Sequence, residues 1–160
     1  MLDSAPPLSQ EAVDLWVKSF QGEVLGEAYF SRMSEMAEDT NEKRKLLALT
    51  CLERCTKELL TPCMERLGIS TVPDQATLDV AAALATEYDY GEMVGSIPAV
   101  TAEYLDYYSR LRDLVDDRDA EAVNLLIAHE LALELFARRE RAGETDRSLD
   151  PIRALPHVSL

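Results

Sequence analysis

Apolar residues recur along most of this chain every three or four positions, the spacing that lays a single stripe along an α-helix. Val13, Trp16, Val17, Phe20, Val24 and Ala28 form the first stripe and predict a helix over about 9–38. Leu8 and Val13 flank Ser9 as a hydrophobic staple flanks an N-cap. Gly22 and Gly26 fall inside this helix, where they cost propensity, so close approach by a neighbouring helix is expected there. Leu46, Leu49, Leu60, Met64 and Leu67 predict a second helix over about 41–67, stopped at Gly68 and kinked near its end by Pro62.

After a loop at 70–73, Asp74 caps a short helix reaching about Tyr88, with Leu78, Ala81, Ala85 and Tyr88 on one side. YGEMVGS, residues 90–96, reads as a break before a helix over about 98–115, whose Val100, Tyr104, Tyr108, Leu111 and Val115 share a side. DDRDAE opens the last helix, which carries Ala122, Val123, Leu126, Leu133, Phe136 and Ala137 inward and ends at Gly143. Residues 1–8 and 144–160 read as tails, the second extended along the bundle or disordered, around one domain at 9–143. No segment alternates as a strand does. Long helices with short joints favour antiparallel packing, and the extra short helix suits a four-helix bundle with one long crossover.

Composition narrows the possible functions. With 160 residues, 47% of them hydrophobic and 29% charged, the chain can bury a continuous core. Its net charge of −14 argues against nonspecific nucleic-acid binding and against an anionic membrane surface. No apolar run approaches the roughly 20 residues that span a bilayer, and the N-terminus lacks the basic and apolar regions of a signal peptide. Cys51, Cys55 and Cys63 are an odd set, read most economically as free thiols in a reducing cytoplasm. Cys51 and Cys55 could offer two ligands from one face, but they lie opposite Glu53 and no further Cys/His pair completes a site. Self-association as a homodimer is expected from Gly22 and Gly26 and from Leu52 and Leu59 beside the second stripe.

The informative residues are glutamates where leucine would be expected. On an ideal helical wheel Glu27 falls in the first stripe, Glu53 in the second, and Glu130 between Leu126 and Leu133. An ionised carboxylate facing a core is costly unless paired or bound to a cation. The alternative is that bends turn them to the rim, to meet a cation such as Lys57 or Arg138. Glu53 and Glu130 are expected to face each other across the core, close enough to share an ion, a water or a proton.

QGEVLGEAYFSRM in the first helix, LALTCLERCTKELL in the second and LIAHELALELFARRE in the last together resemble the rubrerythrin-like and aldehyde-deformylating-oxygenase-like families of the ferritin-like superfamily. The resemblance spans most of residues 10–142 and implies a ferritin-like antiparallel four-helix bundle with a crossover helix. It also implies two iron or manganese ions held by a Glu from each of two helices and a Glu-x-x-His from each of the others. Glu53 and Glu130 match the glutamates of those motifs, but Thr56 and Leu133 stand where the histidines would be. The first helix offers Glu23 or Glu27, of which the wheel prefers Glu27. The third long helix offers only Glu103, a quarter turn off its stripe, and His129 borders the stripe of Glu130. The metal ligands to expect are therefore Glu27, Glu53 and Glu130, with Glu23, Glu103 or His129 as further members. Tyr104, Tyr107 and Tyr108 could be redox-active beside a metal, or core residues with their hydroxyls at the edge.

Two functions follow. One is a non-haem iron or manganese oxidoreductase acting on a small molecule in the bundle core. The other is a degenerate scaffold, without metal, that binds or assembles. An acidic adaptor for a basic partner is a weaker third.

Overall fold

The computed structural model describes residues 8–160. It is all-helical, with no strand among the described residues. Helix α1 spans Gln10–Met36, α2 Thr40–Arg66, α3 Gln75–Glu87, α4 Tyr90–Leu114 and α5 Asp117–Arg141. A 3-10 turn at Thr145–Arg147 and a short α6 at Asp150–Arg153 complete the chain. No helix among the described residues is long and apolar enough to cross a membrane.

Local chemistry sets most boundaries. The Ser9 hydroxyl accepts from the Ala12 amide at 3.2 Å, and Leu8 and Val13 both pack on the core below it. Asp39 and Asp116 cap α2 and α5 through pairs of backbone amides. Gly68 and Gly143 take φ of +71° and +81°, so the following amides reach back to the Met64 and Arg139 carbonyls at 2.8 and 2.9 Å.

One expected break is absent. YGEMVGS is the first two turns of α4, started by a reciprocal capping box in which Asp89 accepts from the Glu92 amide and Glu92 from the Asp89 amide. Met93, Val94 and Ile97 are buried there, and that burial outweighs the propensity lost at Gly91 and Gly95 and the bond lost at Pro98. The C-terminal segment is not extended. It folds into the 3-10 turn and α6 and lies on the bundle with Leu149, Ile152 and Leu155 buried. The expected N-terminal tail lies outside the described residues except for Leu8.

Helix α1 packs on α2 and α3, α4 on α5, and the two pairs meet through α1 with α4 and α2 with α5. The apolar core is divided into two layers. One holds Phe30 and Met33 of α1, Leu46, Leu49 and Leu52 of α2, Met93, Val94 and Ile97 of α4, and Leu133 and Phe136 of α5. The other holds Trp16 and Phe20, Leu60 and Met64, Tyr108 and Leu111, and Val123 and Leu126 from the same four helices. Every long helix therefore interrupts its apolar stripe near its middle, and the polar residues between the two layers form the site described next.

Candidate metal centre

Four buried ionisable side chains meet between the apolar layers. Glu23 comes from α1, Glu53 from α2, and His129 and Glu130 from α5; all are at most 5% exposed. One ligand atom from each of Glu23, Glu53 and His129 lies within 4.8 Å of the others. His129 Nε2 is 3.5 Å from Glu53 Oε1 and 4.0 Å from Glu130 Oε1, and Nδ1 is 3.6 Å from Glu23 Oε2. Glu53 and Glu130 thus converge on one nitrogen from opposite sides of the core.

The first helix supplies Glu23, not Glu27. Packed helices follow a 3.5-residue repeat, whereas the ideal wheel turns every 3.6 residues and drifts with each heptad. Counting from Trp16 at the tighter repeat, the inward positions are Phe20, Glu23, Gly26, Phe30 and Met33. Glu27 falls on the rim, where it accepts from Arg54 Nε at 2.9 Å and from Lys57. Burial works against its ionised form, but these two cations hold its carboxyl below the ordinary value. The rim alternative therefore describes Glu27 and not Glu53 or Glu130.

Glu103 is exposed and accepts from the Tyr107 hydroxyl, its neighbour one turn along, so α4 brings no carboxylate to the centre. It brings instead Thr101 and Tyr108, each 1% exposed, and Tyr104. Val100, expected inside, is 48% exposed.

Gly22 and Gly26 do bring neighbours close. A β-carbon at Gly26 would meet the Glu53 carboxylate at 2.5 Å, and one at Gly22 would meet the Tyr104 ring and hydroxyl at 2.8 Å. The space is used within the chain, and Leu52 is fully buried in the core, while Leu59 is half-buried.

The electrostatics follow from burial. Burial and then the neighbouring Glu53 push Glu23 well above the ordinary carboxylate range. Burial pushes Glu130 up to about 8, with His129 opposing and Glu53 adding to the rise. Burial lowers His129, but Glu53 and Glu130 outweigh it and hold the imidazole above its ordinary value. Burial, then Glu23 and Glu130, raise the Tyr108 phenol well above its usual range. Among the described residues Glu23 Oε2 and the Tyr108 hydroxyl have no hydrogen-bond partner.

These residues fit a divalent ion. Nitrogen–oxygen hydrogen bonds run about 2.7–3.2 Å, shorter than the 3.5 Å from His129 Nε2 to Glu53 Oε1. Two atoms each about 2.1 Å from one ion at the tetrahedral angle lie about 3.4 Å apart. An ion would also satisfy Glu23 Oε2 and allow buried carboxylates to stay ionised. Carboxylate and imidazole donors suit manganese, iron or zinc better than soft metals.

Sequence reasoning did not foresee two members of the centre. His157, from the C-terminal segment, reaches Thr56 Oγ1 at 2.9 Å, and Thr56 itself contacts His129 Nδ1 at 2.8 Å. The small Thr56 leaves the room that His129 fills. The Cys51 and Cys55 sulfurs touch at 3.7 Å, and Cys51 donates to the Ser159 carbonyl.

Comparisons with known protein families, curated proteins and solved structures found no match. The chemistry of this centre therefore rests on its own geometry.

Beside the carboxylates lies an apolar cavity of about 260 Å³, lined by Leu25 and Tyr29 of α1, Leu84 of α3, Ile97 and Val100 of α4, and Leu133 of α5. Glu23, Glu53 and Glu130 form part of its wall. Tyr88 and Val100, which also line it, are 43% and 48% exposed.

Proposed function

We propose that this chain is a metal-binding helical bundle of the ferritin-like kind, holding a transition-metal ion, iron or manganese, at Glu23, Glu53 and His129 with Glu130 beside them. The two apolar layers support the architecture. The start of α1 shares a layer with the end of α2, the end of α4 and the start of α5. Helices α1 and α5 then run one way and α2 and α4 the other, with α3 carrying the chain back along the bundle, an antiparallel bundle with one long crossover. The ligand set is smaller than the di-metal pattern. His129 stands in for the imidazole that position 56 lacks, and α4 contributes no carboxylate.

The observation that carries this reading is the meeting of one ligand atom each from Glu23, Glu53 and His129 within 4.8 Å, with His129 Nε2 3.5 Å from Glu53, too far for a hydrogen bond, and Glu23 Oε2 orphaned. Bound there, iron or manganese would supply one-electron or Lewis-acid chemistry. The chain's own part is to exclude water and to place a molecule against the carboxylates. A cavity of about 150 Å³ holds a benzene-sized ligand, so about 260 Å³ suits an uncharged, mainly apolar molecule of roughly ten non-hydrogen atoms.

The test is metal analysis of protein purified without chelator, followed by anaerobic titration with Fe(II) or Mn(II). One equivalent per chain is expected, with loss of binding in Glu53→Gln. A wild-type protein that neither retains nor acquires an ion at micromolar concentrations overturns the reading. The second reading, a metal-free scaffold, is favoured by Thr56 and Leu133 at the two histidine positions, and it predicts that the same Gln substitution leaves the fold intact or stabilises it.

A further inference from the structure

Thr56 is fully buried, and its hydroxyl has three neighbours. These are the Leu52 carbonyl at 2.9 Å, His129 Nδ1 at 2.8 Å and His157 Nε2 at 2.9 Å. A hydroxyl has one proton to donate and two lone pairs with which to accept. The carbonyl can only accept, so the Thr56 proton goes to Leu52. Both imidazole nitrogens must then donate, as Nδ1–H of His129 and Nε2–H of His157.

The rest of each ring agrees with this assignment. His157 Nδ1 is buried without a partner among the described residues. As a lone-pair nitrogen it is tolerable, whereas as an N–H it would be an orphaned buried donor. His129 Nε2, the ring's other nitrogen, faces Glu53 and Glu130. A neutral imidazole that binds an ion through Nε2 carries its proton on Nδ1, and the partner of that proton fixes the ring's tautomer and orientation.

We propose that Thr56, backed by His157 from the C-terminal segment, is the positioning residue that commits His129 to offering Nε2 to the ion. The residue that replaces an expected ligand thereby orients the ligand that serves instead. Its consequence for the ion rests on the metal reading above; the proton arrangement does not. The C-terminal segment becomes part of the centre, anchored by buried Leu149, Ile152 and Leu155 and by the Cys51 thiol on the Ser159 carbonyl at 3.2 Å.

The experiment uses the full chain labelled with ¹⁵N-histidine. With only two histidines, its long-range ¹H–¹⁵N spectrum is assignable by comparison with His157→Gln. Spectra are recorded with and without Zn(II), a diamagnetic probe. His129 Nδ1 is expected to be protonated in both states, and only Nε2 should move on adding zinc. Thr56→Ser should keep this pattern. Thr56→Val, matched in shape and checked for folding by circular dichroism, should lose it and weaken zinc binding about 10- to 100-fold, as loss of an outer hydrogen bond to a ligating histidine does. His157→Phe should weaken binding in the same direction. An unprotonated His129 Nδ1 in the wild type overturns the proposal, as does Thr56→Val with the wild-type pattern and affinity. A protonated Nδ1 in a wild type that takes up no zinc upholds Thr56's hold on the ring and overturns the metal reading instead.

Discussion

Glu130→Gln probes the charge stored in the bundle centre. In the folded chain without an ion Glu130 keeps its proton up to about pH 8, whereas a free Glu releases it near 4.5. The native state therefore binds more protons across that window, and stability falls as pH rises through it. At about 1.4 kcal/mol per tenfold, this residue costs folding about 4 kcal/mol at pH 8 and under about 1 kcal/mol at pH 5. Glutamine keeps the shape and removes the titration. In chelator-treated protein the variant should match the wild type at pH 5. It should exceed it by about 3 kcal/mol at pH 8, or about 10 °C in melting temperature for a chain of this size. Thermal and urea unfolding at the two pH values measure this directly. With an ion bound the order reverses, because the wild type gains binding free energy that the variant loses in part. Parallel pH profiles for wild type and variant would refute the buried, proton-holding carboxylate.

Four further substitutions test the packing and capping of the bundle. Gly26→Ala puts a β-carbon 2.5 Å from the Glu53 carboxylate and should cost about 1–3 kcal/mol and push Glu53 away from Glu23 and His129. Gly95→Ala, with open space at its β-position, should instead stabilise by about 0.4–1 kcal/mol, and urea unfolding compares the two. Lys45, 1% exposed, pairs with Glu140, which also accepts from the Tyr90 hydroxyl at 3.1 Å. Lys45→Met should cost about 3–5 kcal/mol, and the double change with Glu140→Leu should recover most of it in the same unfolding assay. Asp89→Ala removes half of the α4 capping box and should cost about 1 kcal/mol, seen as faster amide exchange over the first turns of α4.

The helical fold was legible in the sequence because it is written locally. Apolar residues every three or four positions, Ser9 and Asp116 capping helix starts, and Gly68 and Gly143 at helix ends act within a turn or two of chain, and the structure keeps these elements, with Asp74 at its N-cap position but without a side-chain bond. Buried Glu53 and Glu130 were legible for the same reason, since each interrupts an apolar stripe between well-packed neighbours. What failed depended on distances between helices. The choice of Glu23 over Glu27 turned on a tenth of a residue per turn, accumulated from Trp16, and only packing against α2 determines that repeat. The start of α4 at Tyr90 turned on a core that buries Met93 and Val94, which outweighs the glycines the local signal read as a break. Thr56 looked like a lost ligand because its partners, His129 and His157, lie 73 and 101 residues along the chain. A hydroxyl's role is set by what surrounds it, and only the folded chain, with its C-terminal segment laid against α2, brings two imidazoles to that one oxygen.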